Sequence, residues 1–292
     1  MFEWKKWPIK IIKIDDNEYP ENLKRIKSCP KILYYRGNWN NELFGKTLAI
    51  VGSRRMTRYG REILTKFMPD IVANKITIIS GFVYGIDSEA HRLCMELGGK
   101  TIAVLGGGLD FLSPTENDQL YCDILKSGGL VISEYEADFM PTLWSFPQRN
   151  RIVAALSTEG ILVVEAGLKS GSLITARLGK KQGKTIYAIP GPITAGTSQG
   201  TNWLIKSENA KMVTEINDLL TGDEITKAIQ INLFDNLDEM EKEILSFLKN
   251  EELSIDELSR KTNKTIAEIT TKITLMSMRG LVEEEGGKVY LA

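Results

Sequence analysis

Thr47-Leu48-Ala49-Ile50-Val51-Gly52-Ser53-Arg54-Arg55 is a short apolar run closed by a glycine, a hydroxyl and two cations. An unbroken run of this kind predicts a strand covered on both faces, as in a parallel sheet flanked by helices. Further short β-rich runs follow at Ile76–Ile79, Thr101–Leu105, Leu130–Ile132, Ile161–Val164 and Thr185–Ile189, with another near Lys211–Val213. Between them, amphipathic spacing predicts helices at Gly60–Ala73, Ser88–Leu97, Asn117–Leu125, Arg149–Ser157, Leu173–Gln182 and Gln199–Ser207. Strand and helix in strict alternation predict a doubly wound α/β domain over residues 47–222 with a mostly parallel sheet.

Outward from this block the pattern changes. Residues 1–46 carry turn signals at Tyr19-Pro20, Cys29-Pro30 and Arg36-Gly37, and are too short for a core of their own. They are expected to pack on the edge of the sheet. Residues 223–236 read as a linker, and 237–292 as a small second domain. There, Met240–Leu248, Ser254–Lys261 and Thr265–Met278 have helical spacing, and Ser254 with Glu257 forms a capping-box signature. A Gly286-Gly287 turn within Gly280–Leu291 then predicts a hairpin. Three helices and a hairpin make a winged-helix pattern.

Composition narrows the class. Of 292 residues, 42% are hydrophobic and 26% charged, enough apolar material for a core and a satellite domain. No apolar stretch approaches the ~18 residues of a membrane span, and residues 1–13 lack the apolar segment of a secretory signal. Cys29, Cys94 and Cys122 are far apart, and His91 is the sole histidine. Reduced thiols in a cytoplasmic protein are expected, with no metal site and no cofactor. The net charge of −1 conceals an asymmetry: residues 231–292 hold 8 Lys/Arg against 13 Asp/Glu, which leaves 29 against 25 in the rest. That excess is too mild to identify a nucleic-acid binder alone.

Ligands of such sheets bind beyond the carboxyl ends of the strands, so the loops there carry the chemistry. After the first strand, Gly52, Ser53, Arg54 and Arg55 offer backbone approach, a hydroxyl and two guanidinium groups to a phosphate. After the second, Ser80-Gly81 leads through Gly85-Ile86-Asp87 to His91. Asp87 and His91 are four apart and share a helical face, either as a catalytic pair or with Asp87 as a helix cap; no nucleophile is spaced to join them. Gly106-Gly107-Gly108 suits a tight turn or an anion nest and matches neither GxGxxG nor GxxxxGK[ST]. Further on, Trp144 and Phe146 precede Pro147-Gln148-Arg149-Asn150-Arg151. Arginines in a first helical turn oppose the helix dipole, and a bound polyanion would account for them. The neighbouring aromatic rings either stack bases or plug the core. Lys169, Ser170, Gly171 and Ser172 open the next helix, a backbone setting for a phosphate, an ordinary serine cap, or both.

Taken together, Val51-Gly52-Ser53-Arg54, Ser80-Gly81 with Gly85-Ile86-Asp87 and His91, Phe146 through Ile152, and Ser170 through Ala176 resemble the DNA-processing protein A (DprA/Smf) family over residues 10–220. The resemblance implies an extended Rossmann-like domain that binds single-stranded DNA without catalysis. It also implies loading of RecA recombinase in natural transformation or recombination, and a homodimer through that domain. Carried over by position, the family's DNA pocket falls on Gly52, Ser53, Arg54, Phe146, Arg149 and the Lys169–Ser172 loop; the strand-end reading adds Arg55, Gly81 and Asn150. Many members have an N-terminal SAM-like domain, for which 46 residues leave no room. In the second domain Glu283-Glu284-Glu285 would repel phosphates, although Lys261, Lys264, Lys272 and Arg279 could form a local basic face. Contact with protein rather than DNA is expected of it.

Two other classes fit the bare outline. One is a LOG-type nucleotide phosphoribohydrolase, whose PGGxGTxxE motif is missing here. The other is a winged-helix regulator of duplex DNA, which the acidic hairpin disfavours.

Overall fold

The computed structural model describes residues 3–220, 238–248, 251–278 and 281–291. They form two units, divided near residue 228. The segment read as a linker, 223–236, and Arg279 lie outside the described residues.

In the first unit β1 (Lys10–Lys13), α1 (Glu21–Lys24) and β2 (Ile32–Gly37) precede β3 (Thr47–Val51), α2 (Arg58–Ala73), β4 (Thr77–Ser80) and α3 (Ile86–Glu96). Then come β5 (Thr101–Val104), α4 (Asp118–Lys126), β6 (Leu130–Ser133), α5 (Ser145–Leu156) and β7 (Gly160–Val163). The unit ends with α6 (Ser172–Lys181), β8 (Ile186–Ala188), α7 (Gln199–Lys206) and β9 (Lys211–Met212). Nine strands make one sheet in the order β1-β2-β6-β5-β4-β3-β7-β8-β9. All neighbours are parallel except β1 with β2 and β2 with β6.

This is the expected doubly wound α/β sheet, with one addition: the first 46 residues do not merely lie on the edge but extend the sheet by two antiparallel strands. Their strand signal is weak, because β1 is Lys-Ile-Ile-Lys with only Ile12 buried. Trp4, Tyr19, Leu23 and Leu33 are nevertheless wholly or almost wholly buried. Arg36 of β2 donates to the Leu109 carbonyl and to Asp110, both at 2.7 Å.

Successive residues of β3 face opposite layers. Ala49 and Val51 pack with α5 and α6, whereas Leu48 and Ile50 pack with α2 and α3. Burial on both sides is why the run shows no polar alternation. From β3 the chain winds one way through β4 and β5 to β6, then returns to the other side of β3 with β7. The strand order therefore reverses between β3 and β7, the place where sheets of this type open a crevice.

The second unit has α8 (Glu239–Leu248), α9 (Ile255–Thr262), α10 (Ile266–Met278), β10 (Val282–Glu285) and β11 (Lys288–Leu291), a winged helix. The Ser254–Glu257 capping box is formed, with the Ser254 amide 2.8 Å from the Glu257 carboxylate. Ile244, Leu258, Ile269, Ile273 and Val289 make its own core. No helix among the described residues is long and apolar enough to cross a membrane. No cluster of three His, Cys, Asp or Glu among them could hold a metal.

Candidate nucleic-acid interface

The loops after β3, β4 and β7 and the start of α5 meet at the reversal point around a cavity of about 840 Å³. Every one of Gly52, Ser53, Arg54, Arg55, Gly81, Phe146, Arg149, Asn150, Lys169, Ser170, Gly171 and Ser172 lines it. Arg54, Arg55 and Lys169 are exposed at its rim and have no ion-pair partner among the described residues.

The β3 and β4 loops lock together. The Ile86 amide donates to the Ser53 carbonyl at 3.1 Å. Gly85 makes this possible: its φ is +79°, and a Cβ there would lie 2.2 Å from the Ser53 oxygen. Gly52 has a packing reason of its own, since a Cβ would sit 2.5 Å from the Ile86 side chain. Ser53 folds its hydroxyl back on the Arg55 amide and carbonyl at 3.0 and 2.9 Å, which fixes the turn that presents both arginines. Behind it, buried Glu165 accepts from the Thr57 amide at 2.9 Å and secures the start of α2.

The floor holds a buried guanidinium and a buried carboxyl that the sequence alone did not bring together. Arg149 is 3% exposed and donates through Nη1 to the carbonyls of Gly81 and Val104 at the ends of β4 and β5. Its Nε donates to Asn150 at 3.1 Å. Asp87 accepts from the Gly81 amide at 3.0 Å and faces the same guanidinium. Burial pushes the Asp87 carboxyl up to about 6 against the opposing pull of Arg149, and burial lowers Arg149 to about 10. Gly81 leaves the space for this pair, because a Cβ would stand 2.7 Å from Arg149 Nη2 and 2.8 Å from Asp87 Oδ2.

Three sequence expectations change here. First, α5 begins at Ser145, not Arg149, held by reciprocal bonds of 2.9 Å between Thr142 and Ser145. Arg149 therefore lies beyond the first turn, and no polyanion is needed to explain it: strand-end carbonyls and Asn150 occupy its guanidinium. Arg151 pairs with Glu134 at 2.6 Å and does not reach the cavity. Second, Asp87 and His91 do not act together. His91 is wholly buried, bonds Thr101 at 2.5 Å, and is driven by burial down to about 3, so it stays neutral. Third, the glycine run has a packing reason the sequence did not show: Cβ atoms on Gly106, Gly107 and Gly108 would strike Phe146, Pro141 and the Glu136–Ala137 backbone.

Phe146 is half-buried, with the Arg54 guanidinium 5.6 Å from its ring centroid, while Trp144 is 54% exposed. Trp144 thus does not plug the core. At α6 the cap residue is Gly171, with no side-chain cap; Ser170 and Ser172 bond each other at 2.7 Å. Gly196 and Thr197 close the cavity from the loop after β8, where no sequence signal pointed. In the second unit Lys261 pairs with Glu251 and Lys272 with Asp238, both at 2.5 Å, so two of the four cations of the possible basic face are neutralised.

Comparison with known proteins accords with this arrangement. The family model for DNA recombination-mediator protein A matches residues 10–223, and that for the DprA winged helix domain matches 235–288. The chain is 34% identical to Protein Smf of Escherichia coli (strain K12), over 96% of its length and 77% of that protein's. It is 41% identical to the DNA processing protein DprA of Streptococcus pneumoniae over 75% of each. The solved structure of DprA from Streptococcus pneumoniae superposes with a TM-score of 0.66 at 40% identity, covering 74% of both chains. DNA processing protein A from Helicobacter pylori, described for its single-stranded DNA binding mode, superposes at 0.64 with 32% identity, covering 73% of this chain and 94% of that one. This chain belongs to the DNA recombination-mediator protein A (DprA/Smf) family.

Proposed function

We propose that the chain binds single-stranded DNA, without catalysing a reaction, across the cavity at the β3/β7 reversal. The carrying observation is the convergence of Arg54, Arg55 and Lys169, exposed and without ion-pair partners among the described residues, on one cavity built from separate strand-end loops. Phosphates are held at this rim, the buried charge of Arg149 adds to the field, and bases stack on Phe146. The Helicobacter pylori relative's single-strand binding supports the choice of ligand. The non-catalytic reading is supported by the occupied state of Asp87, engaged by Gly81 and Arg149, and by the buried neutral His91.

In this proposal the protein works in the cytoplasm as a homodimer through its Rossmann-like domain, residues 47–222, and promotes loading of RecA recombinase. The winged helix at 237–292 contacts protein, in keeping with exposed Glu283 and Glu284. Fluorescence anisotropy of labelled oligo-dT and matched duplex over a salt series tests the binding. Arg54→Ala is expected to weaken single-strand binding by about one to two orders of magnitude, through removal of a charge-assisted hydrogen bond to phosphate. It should also flatten the salt dependence by ~0.7 in log–log slope. No preference for single strands, or an unaffected variant, would overturn the proposal.

A further inference from the structure

Helices α5 and α6 both start at the cavity, and at their far ends lies a second cavity of about 520 Å³. Its lining holds five cations, Arg25, Lys27, Arg151, Lys181 and Lys184, and no carboxylate. Glu134 neutralises Arg151. The other four have no ion-pair partner among the described residues. Lys184 is half-buried, and burial together with Arg25 pushes its ammonium pKa down, as befits crowded like charges. Arg151 Nε and Gln182 Oε1, both on lining residues, are buried without a hydrogen-bond partner. Concentrating unpaired like charge around a concavity favours an anion there.

The two cavities are joined by a stripe on α6. Ile174 lines the first, Lys181 lines the second, and exposed Arg177 lies between them at helical spacing. Ten residues of helix put the ends about 15 Å apart. That is about four nucleotides at the ~3.4 Å per nucleotide of a stacked strand. We propose that the cavity of Arg25, Lys27, Lys181 and Lys184 is a second phosphate site, which holds the same single strand after it leaves the first cavity along α6.

This inference rests on the proposed function, so its test separates the two sites by strand length. The probes are oligo-dT of about three nucleotides, too short to span the ~4 between the two sites, and of roughly twenty, longer than the ~4–16 that single-strand-binding folds commonly occlude. Arg25→Glu/Lys181→Glu alters two exposed side chains, and Lys46→Glu/Lys66→Glu makes the same charge change elsewhere on the surface. The first pair is expected to leave the three-nucleotide probe within about twofold of wild type. It should weaken the twenty-mer roughly tenfold and flatten its salt slope by ~0.7 for each phosphate no longer neutralised, whereas the second pair does neither. Equal effects on both lengths, an unchanged twenty-mer, or the same weakening from the control pair would overturn the second site. Arg54→Ala reads the first site separately: an unaffected three-nucleotide probe would overturn the proposed function and this inference with it.

Discussion

Replacing Arg149 with methionine probes the two buried charges beneath the cavity. The guanidinium is 3% exposed, and its partner carboxyl on Asp87 is 5% exposed. Removing the guanidinium leaves the Gly81 and Val104 carbonyls without their donor and the Asp87 carboxyl without the nearby positive charge, at ~1–3 kcal/mol for each orphaned group, against a total stability of ~5–15 kcal/mol. The cost must depend on pH, with a definite sign. In the folded protein Asp87 titrates at about 6 rather than 3.8. The folded state therefore keeps a proton that the unfolded chain has released. Stability accordingly falls as pH rises through that window, by ~1.4 kcal/mol per unit or about 3 in all.

Arg149 is the charge that restrains this shift. Without it the folded carboxyl rises further, so the variant goes on losing stability above pH 6 while the wild type levels off. His91, depressed to about 3, has the opposite trend: stability from it is lost as pH falls below 6.5. That trend is common to both proteins, and relief of Arg149 repulsion only lessens it in the variant. The gap between the two proteins thus widens with pH, by at most ~2.7 kcal/mol between pH 6 and pH 8, on top of a pH-independent cost of ~1–3 kcal/mol for each of the Gly81 and Val104 carbonyls left without its donor. Urea unfolding at several pH values measures it. A gap that is the same at both ends, or below ~1 kcal/mol at the alkaline end, would refute a charged, mutually dependent pair.

Other expectations are simpler to check. Phe146→Leu should cost up to ~1–3 kcal/mol in single-strand affinity with little dependence on base identity, since stacking is sequence-tolerant; a strong base preference in the effect would point to hydrogen-bonded readout instead. Removing residues 236–292 should leave most of the single-strand affinity intact, because Lys261 and Lys272 are already paired; a collapse of that affinity would sink the assignment of this unit to protein contact. Of the three thiols, Cys94 is fully buried and pushed up to about 12, and burial raises Cys122 too. Mild thiol titration of the native protein is therefore expected to label half-buried Cys29 alone, and rapid labelling of Cys94 would contradict its burial.

Much of the fold was legible because local pattern and tertiary environment agree. The run Leu48–Val51 is apolar throughout since both its faces are covered, and the Ser254–Glu257 box caps its helix as written. Where they disagree, the sequence misled or was silent. Lys10–Lys13 has no strand signature because only Ile12 faces the core; the hydrogen bonds of β2 recruit it to the sheet. The start of α5 was misplaced because Thr142 and Ser145 form a local bonded turn ahead of Pro147, which itself suits an early helical position.

The candidate site divides in the same way. Sequence alone determined which residues stand after which strands, because parallel strands separated by helices must all end at one edge. That was enough to select the loops of Arg54, Gly81, Arg149 and Lys169. Only the tertiary structure decided what each does there. The strand order brought the β3 and β7 loops together, sent Arg149 inward to the carbonyls of Gly81 and Val104, and left Arg54, Arg55 and Lys169 outside. A guanidinium has the same chemistry in every sequence position; whether it meets solvent or a buried carboxylate depends on neighbours such as Asp87, 62 residues away in the chain.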